Sequence, residues 1–190
     1  MSRPRHRLGL AVEVNEPARA ALAQALQPLQ ASYPGVRWIE PDQWYVELCQ
    51  LGALDEAETA GVDELAAEVA ADSAQLRLRL DGGAGVVGGR ALFAGVQPND
   101  EFGALCAQLC RRVEKAGYTP ALADDTPCAI VGRMPGGSGL PARLVRTFRG
   151  PTVTWTARRL LVVRTRLRLE GIALQLRSAH PFAQPQAALG

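Results

Sequence analysis

Along this chain the spacing of apolar residues alternates between strand-like and helix-like periods, and each change of period predicts an element. Leu8–Val14 (LGLAVEV) is almost unbroken in apolar residues, as in a strand buried on both faces. Asn15, Glu16 and Pro17 then supply an N-cap, a carboxylate at the positive helix end and a first-turn proline. Ala18, Ala21, Leu22, Ala25, Leu26 and Leu29 form the helical stripe behind them, and Tyr33-Pro34-Gly35 ends it. A strand is expected over Trp44–Leu51.

The same order returns later in the chain. Ala91–Val96 reads as a strand, and Asn99 caps a helix whose stripe is Phe102, Leu105, Cys106, Leu109, Cys110 and Val113. Gly117 closes that helix, and Pro127–Arg133 is the next strand. From Asn15 to Tyr45 is 30 residues, and from Asn99 to Cys128 is 29. Two β–α–β units of equal span predict two interleaved lobes related by a pseudo-twofold axis, within a single domain over residues 1–190. Between the units, a helix is expected near Asp55–Ala71. A half-buried strand follows in which Leu76, Leu78 and Leu80 alternate with Arg77 and Arg79, with a hairpin turn at Gly88-Gly89. Near the end, Arg158–Leu169 and Ile172–Arg177 read as a hairpin turning at Glu170-Gly171, with Arg164, Arg166 and Arg168 on one face of its first strand.

Charge changes this picture, composition less so. Hydrophobic residues are 47% and charged residues 21%, as expected of a globular chain that can bury its own core. The net charge of +2 hides an asymmetry. From Arg133 onward there are ten Arg and one acid, whereas the first 132 residues carry eleven basic and eighteen acidic side chains. Of the 21 basic residues only Lys115 is lysine. Arginine suits bidentate phosphate contacts, so an anionic partner is expected at the C-terminal end; coding bias explains the choice of Arg over Lys but not its position. Phe148 and Trp155 are the stacking candidates near that cluster.

The sequence offers little to cofactors. Cys49, Cys106, Cys110 and Cys128 form no CxxC pair, and only His6 and His180 could supplement them, so neither a metal nor a disulfide is expected. Met134–Pro141 (MPGGSGLP) lacks the Lys-Ser/Thr ending of a P-loop, and Gly82–Gly89 lacks dinucleotide-site spacing. No cofactor is expected. No apolar run reaches the ~20 residues of a membrane span and no secretory pattern opens the chain, so a cytoplasmic protein with no membrane partner is expected.

The start RLGLAVEV-N-EPARAAL, the stretch VRWIEPDQWYVELCQLG and the strand PCAIVGR together resemble the 2H phosphoesterase superfamily, in particular its bacterial 2′-5′ RNA ligase-like branch of RNA 2′,3′-cyclic phosphodiesterases. The resemblance runs over roughly Arg7 to Pro181 and rests on the order and spacing of elements. It implies an α+β bilobal fold, two antiparallel-rich sheets around a central groove with helices outside. It also implies a site built from two His-x-Thr motifs, one per lobe. One imidazole takes a proton from the attacking group, the other protonates the leaving oxygen, and the threonines hold the phosphate.

At those motif positions this chain departs from the pattern. The first His and Thr positions carry Tyr45 and Glu47, and the second carry Cys128 and Ile130. Arg133 remains as the basic residue after the second motif. Strand alternation would place Tyr45, Glu47 and Cys49 on one face of the first strand, and Cys128 and Ile130 on one face of the second. Tyrosine and cysteine are weak bases near neutrality, a Glu47 carboxylate repels phosphate, and Ile130 offers no hydrogen bond. Two readings follow. One is a 2H-fold pseudoenzyme that has lost the phosphodiesterase reaction and binds single-stranded RNA, a nucleotide or a protein through Arg133, Arg164, Arg166 and Arg168. The other is an active phosphodiesterase or ligase-like enzyme that uses replacement residues, with Glu47 as base and Tyr45 or Cys128 as acid, or with Cys128 as a nucleophile served by His180.

Overall fold

A computed structural model describes residues 6–122, 127–136, 138–168 and 171–184, with the side chains of 122, 166–168 and 171–173 outside the description. In chain order the elements are β1 (His6–Glu13), α1 (Glu16–Ser32), β2 (Arg37–Trp38), β3 (Tyr45–Leu54), α2 (Glu56–Ala71), β4 (Leu76–Val87) and β5 (Ala91–Val96). They continue with α3 (Asp100–Lys115), β6 (Ala121–Leu122), β7 (Cys128–Arg133), α4 (Ala142–Thr147), β8 (Thr152–Ala157), β9 (Arg159–Arg168) and β10 (Gly171–Pro181). A single 3₁₀ turn, Pro41–Gln43, precedes β3.

The fold is α+β, with one large antiparallel sheet ordered β10-β9-β1-β3-β7-β5-β4-β8, β6 beside β3 and β2 beside β7. Its two halves, β10-β9-β1-β3 and β7-β5-β4-β8, meet in one register pair, Val46↔Ala129. The first repeat unit supplies β1 and β3 on one side of that seam, and the second supplies β5 and β7 on the other. The two motif strands of the sequence reading therefore lie side by side at the middle of the sheet.

One face of the sheet is covered by helices. Ala18, Leu22 and Leu26 of α1, Val62, Ala66 and Val69 of α2, and Leu105, Leu109 and Val113 of α3 join Leu8, Leu10, Val12, Val46, Leu92 and Val131 in one apolar core. Each fully buried Val or Leu side chain there contributes about 1.5–3 kcal/mol. The helix starts follow the sequence signals. Asn15 Oδ1 accepts from the Ala18 amide at 3.2 Å, and Asn99 Oδ1 from Phe102 at 2.8 Å. Asp55 and Glu58 form a reciprocal capping box at α2. Gly88 and Gly89 both take positive φ, and Arg90 N–H donates to Val87 O, which makes a tight turn between β4 and β5.

Two irregularities matter for the opposite face. In β3 the register steps from Leu10↔Cys49 to Ala11↔Glu47, so Leu48 is an extra residue. In β4 it steps from Leu80↔Val96 to Ala84↔Ala94, and Asp81–Gly83 bulge out with Asp81 Oδ1 accepting from Gly83 N at 2.7 Å. Among the described residues no helix is long and apolar enough to cross a membrane.

Candidate functional site

The sheet face away from the helices carries the four motif-position residues. Tyr45 pairs in register with Glu13, and Glu47 with Ala11, while Val46 between them joins the helix-side core. Across the seam, Cys128 pairs with Gly95 and Ile130 with Phe93, and Ala129 between them is core. All four are thus brought together on one face around the Val46↔Ala129 contact, as strand alternation predicts.

The bulge at Leu48 overturns the alternation expected for Cys49. That side chain shares the face of Leu10 and is completely buried beneath α3. Burial, followed by the neighbouring Cys110, pushes its thiol up to about 12, and burial pushes Cys106 up to about 11. These thiols are core groups on the side away from the candidate site.

The chemistry left on the open face is weak acid–base chemistry. Burial, reinforced by the Asp42 carboxylate, raises the Tyr45 phenol above its usual range and keeps it protonated. Arg133 sits half-buried at the end of β7; burial lowers its guanidinium's pKa, and the Glu47 carboxylate acts in the opposite direction. The basic residue retained after the second motif is therefore electrostatically engaged with the acid that stands at the first threonine position. Ile130 contributes only hydrocarbon.

Both histidines lie on the other face. His6 Nε2 is 3.7 Å from Glu56 Oε2, at the start of α2. His180, opposite Leu160, is 3.0 Å from Ser178 Oγ, which is itself 2.6 Å from Asp63 Oδ1 on α2. His180 is thus separated from Cys128 by the sheet, and the Cys–His nucleophile reading is overturned.

The basic C-terminal segment is also placed differently from a free binding surface. Arg164 pairs with Leu8 in register, on the helix-covered face, and its side chain is only 12% exposed. It reaches Glu56 at 3.3 Å, and its Nε is buried with no hydrogen-bond partner. Arg177 binds Asp63 at 2.6 Å and Glu56 at 3.0 Å, and Arg159 forms a close pair with Glu13. Acids from the first part of the chain thus neutralise Arg159, Arg164 and Arg177, while Arg143, Arg146 and Arg158 are exposed without an ion pair among the described residues. The side chains of Arg166 and Arg168 lie outside the described residues. Phe148 and Trp155, 1% and 3% exposed, are core, and Trp155 Nε1 donates to Glu13 O at 2.9 Å.

A cavity of about 390 Å³ opens beside Tyr45, lined by Glu13, Arg19, Asp42, Arg159 and Leu161 among others. It does not reach Glu47, Cys128, Ile130 or Arg133. Sequence reasoning missed it because it forms where β1, β9, β10 and the 3₁₀ turn converge, a long-range juxtaposition without a local signal.

No protein-family profile and no curated protein matches the chain. Solved structures do. TT0787 of Thermus thermophilus superposes with a TM-score of 0.71 at 24% identity, over 93% of this chain and 97% of that one. E. coli LigT in complex with 3′-AMP gives 0.69 at 14% identity, over 95% and 99%. A crystal structure of a phosphoesterase gives 0.69 at 15%, over 94% and 99%. With the sheet order and the paired central strands, these whole-length likenesses show that the chain has the LigT-like 2H phosphoesterase fold.

Proposed function

We propose that this protein keeps the 2H phosphoesterase fold without the phosphodiesterase reaction, and that it binds a phosphate-bearing ligand, RNA or a nucleotide, without turning it over. One observation carries the reading: both histidines of the chain stand on the helix-covered face, so the open face has no imidazole to move a proton. Tyr45 is held protonated, and Glu47 is engaged with Arg133. General acid–base groups supply about 10²–10⁴-fold each, so their loss removes most of the rate.

The ligand class is supported by likeness. E. coli LigT, of the same fold, has been crystallised with 3′-AMP, ATP and NADP+. The test is calorimetric titration with a short RNA ending in a 2′,3′-cyclic phosphate, followed by end-group analysis of the recovered RNA. Binding with the cyclic end intact supports the proposal. Absence of binding, or conversion of the end, contradicts it.

A further inference from the structure

We infer that the exposed face of β4 and β8 is a track for the phosphate backbone of single-stranded RNA, with Arg77 and Arg79 as its cations and Thr154 and Thr156 as its hydroxyl donors. This deepens the binding reading above and rests on it. Register places Arg77 opposite Thr156, Arg79 opposite Thr154 and Asp81 opposite Thr152. Leu76, Leu78 and Leu80, which alternate with the two arginines, are buried in the core, so both guanidinia emerge on the other face. That face is the one that carries Cys128. A Cβ built on Gly95, the register partner of Cys128, would lie 2.8 Å from Asp81 Oδ1, so Asp81 projects there too.

Both arginines are unspent, and they share one strand face with their register partners Thr154 and Thr156. Arg19, Arg112, Arg159, Arg164 and Arg177 all pair with acids of the chain, and Arg149 donates to backbone carbonyls. Among the described residues Arg77 and Arg79 are exposed, and neither side chain has an ion pair or a hydrogen bond. Their backbone is nevertheless fixed. Asn99 Nδ2 donates to Arg77 O at 2.7 Å, and Gln97 N–H to Arg79 O at 2.8 Å. Two residues along a strand advance about 6.8 Å, comparable to the separation of consecutive phosphates in an extended polynucleotide. Guanidinium forks and hydroxyls are the donors that phosphate oxygens take.

The face selects RNA over an acidic peptide because Val153 and Trp155 of β8 alternate away from it, leaving no apolar anchor of the kind a peptide interface needs. Asp81 ends the track on the side toward Cys128, where a carboxylate repels the next phosphate. The bound backbone is therefore held away from the motif positions, as binding without turnover requires.

The test is fluorescence anisotropy of a short labelled single-stranded RNA at several salt concentrations. Wild type should bind, and R77Q/R79Q should bind about tenfold more weakly at low salt, with the log–log salt slope shallower by about 1.4, the value for two phosphates at 0.7 each. R77K/R79K should keep most of the affinity. The charge-matched R111Q/K115Q, on the exposed side of α3, should match wild type, and thermal melts should show all four folded. No wild-type binding overturns both the RNA reading and the track. Wild-type binding with R77Q/R79Q unchanged, or with R111Q/K115Q equally weakened, overturns the track and leaves the RNA reading standing. Equal displacement of the RNA by polyglutamate at matched charge overturns the choice of partner.

Discussion

The pairing of late arginines with earlier acids predicts that Asp63 and Arg177 stabilise the fold rather than serve a ligand. Asp63 accepts from Arg177 Nε on one oxygen and from Ser178 Oγ on the other, both at 2.6 Å, and the Asp63 and Arg177 side chains are 24% and 23% exposed. Exposed ion pairs couple by about 0.2–1 kcal/mol, and hydrogen bonds to charged groups contribute about 1.5–3 kcal/mol. This pair lies between those limits, being mostly covered, short and oriented by a second donor. Asp63→Ala should therefore cost about 2–3 kcal/mol, because it strands both Arg177 and Ser178. Asp63→Asn should cost about half of that, since the amide keeps one acceptor oxygen. In a double-mutant cycle with Arg177→Ala, the coupling should be about 1–2 kcal/mol. Urea unfolding followed by circular dichroism gives these values, provided the slope with denaturant is unchanged. A coupling below about 0.3 kcal/mol would refute the reasoning. The arginines would then be solvated charges, free for a partner as the charge asymmetry of the sequence first implies.

Two further perturbations test the packing that positions the open face. Burial raises the Cys49 thiol from an ordinary 9.0 to about 12, so the native state holds its proton more tightly than the unfolded chain; stability should fall as pH rises through that window, and Cys49→Ala should flatten the fall in a series of urea midpoints against pH. Asn99→Ala removes the cap of α3 and the bond to Arg77 O together, so it should cost more than Asn15→Ala, about 2 kcal/mol against about 1 kcal/mol in thermal or urea unfolding; equal costs would show that the bond to β4 contributes nothing.

Much of the fold was legible because its signals are local. Asn15, Asp55 and Asn99 each announce a helix start, and Gly88-Gly89 a tight turn, through chemistry confined to a few neighbours. The equal spacing to Tyr45 and Cys128 predicts two matching units, but not that their central strands join one continuous sheet at Val46↔Ala129. What the sequence hid depends on distant partners. The extra residue Leu48, which turns Cys49 from the open face into the core, is defined only against β1. Arg164 alternates like an exposed residue, yet α2 lies over it and supplies Glu56. The alternation shows Arg77 and Arg79 on the polar face of β4, but nothing local shows that this face is the one that carries Cys128.

The most direct measurement is hydrolysis of an RNA 2′,3′-cyclic phosphate end with the protein in molar excess over substrate, beside a 2H phosphoesterase that has both His-x-Thr motifs. If the open face lacks a proton-transfer group, wild type should stay at the rate of the protein-free blank across about pH 5–9, the range in which a displaced imidazole would act. Robust turnover that disappears in Glu47→Gln or Cys128→Ala would contradict the account and identify the residues that replaced the histidines.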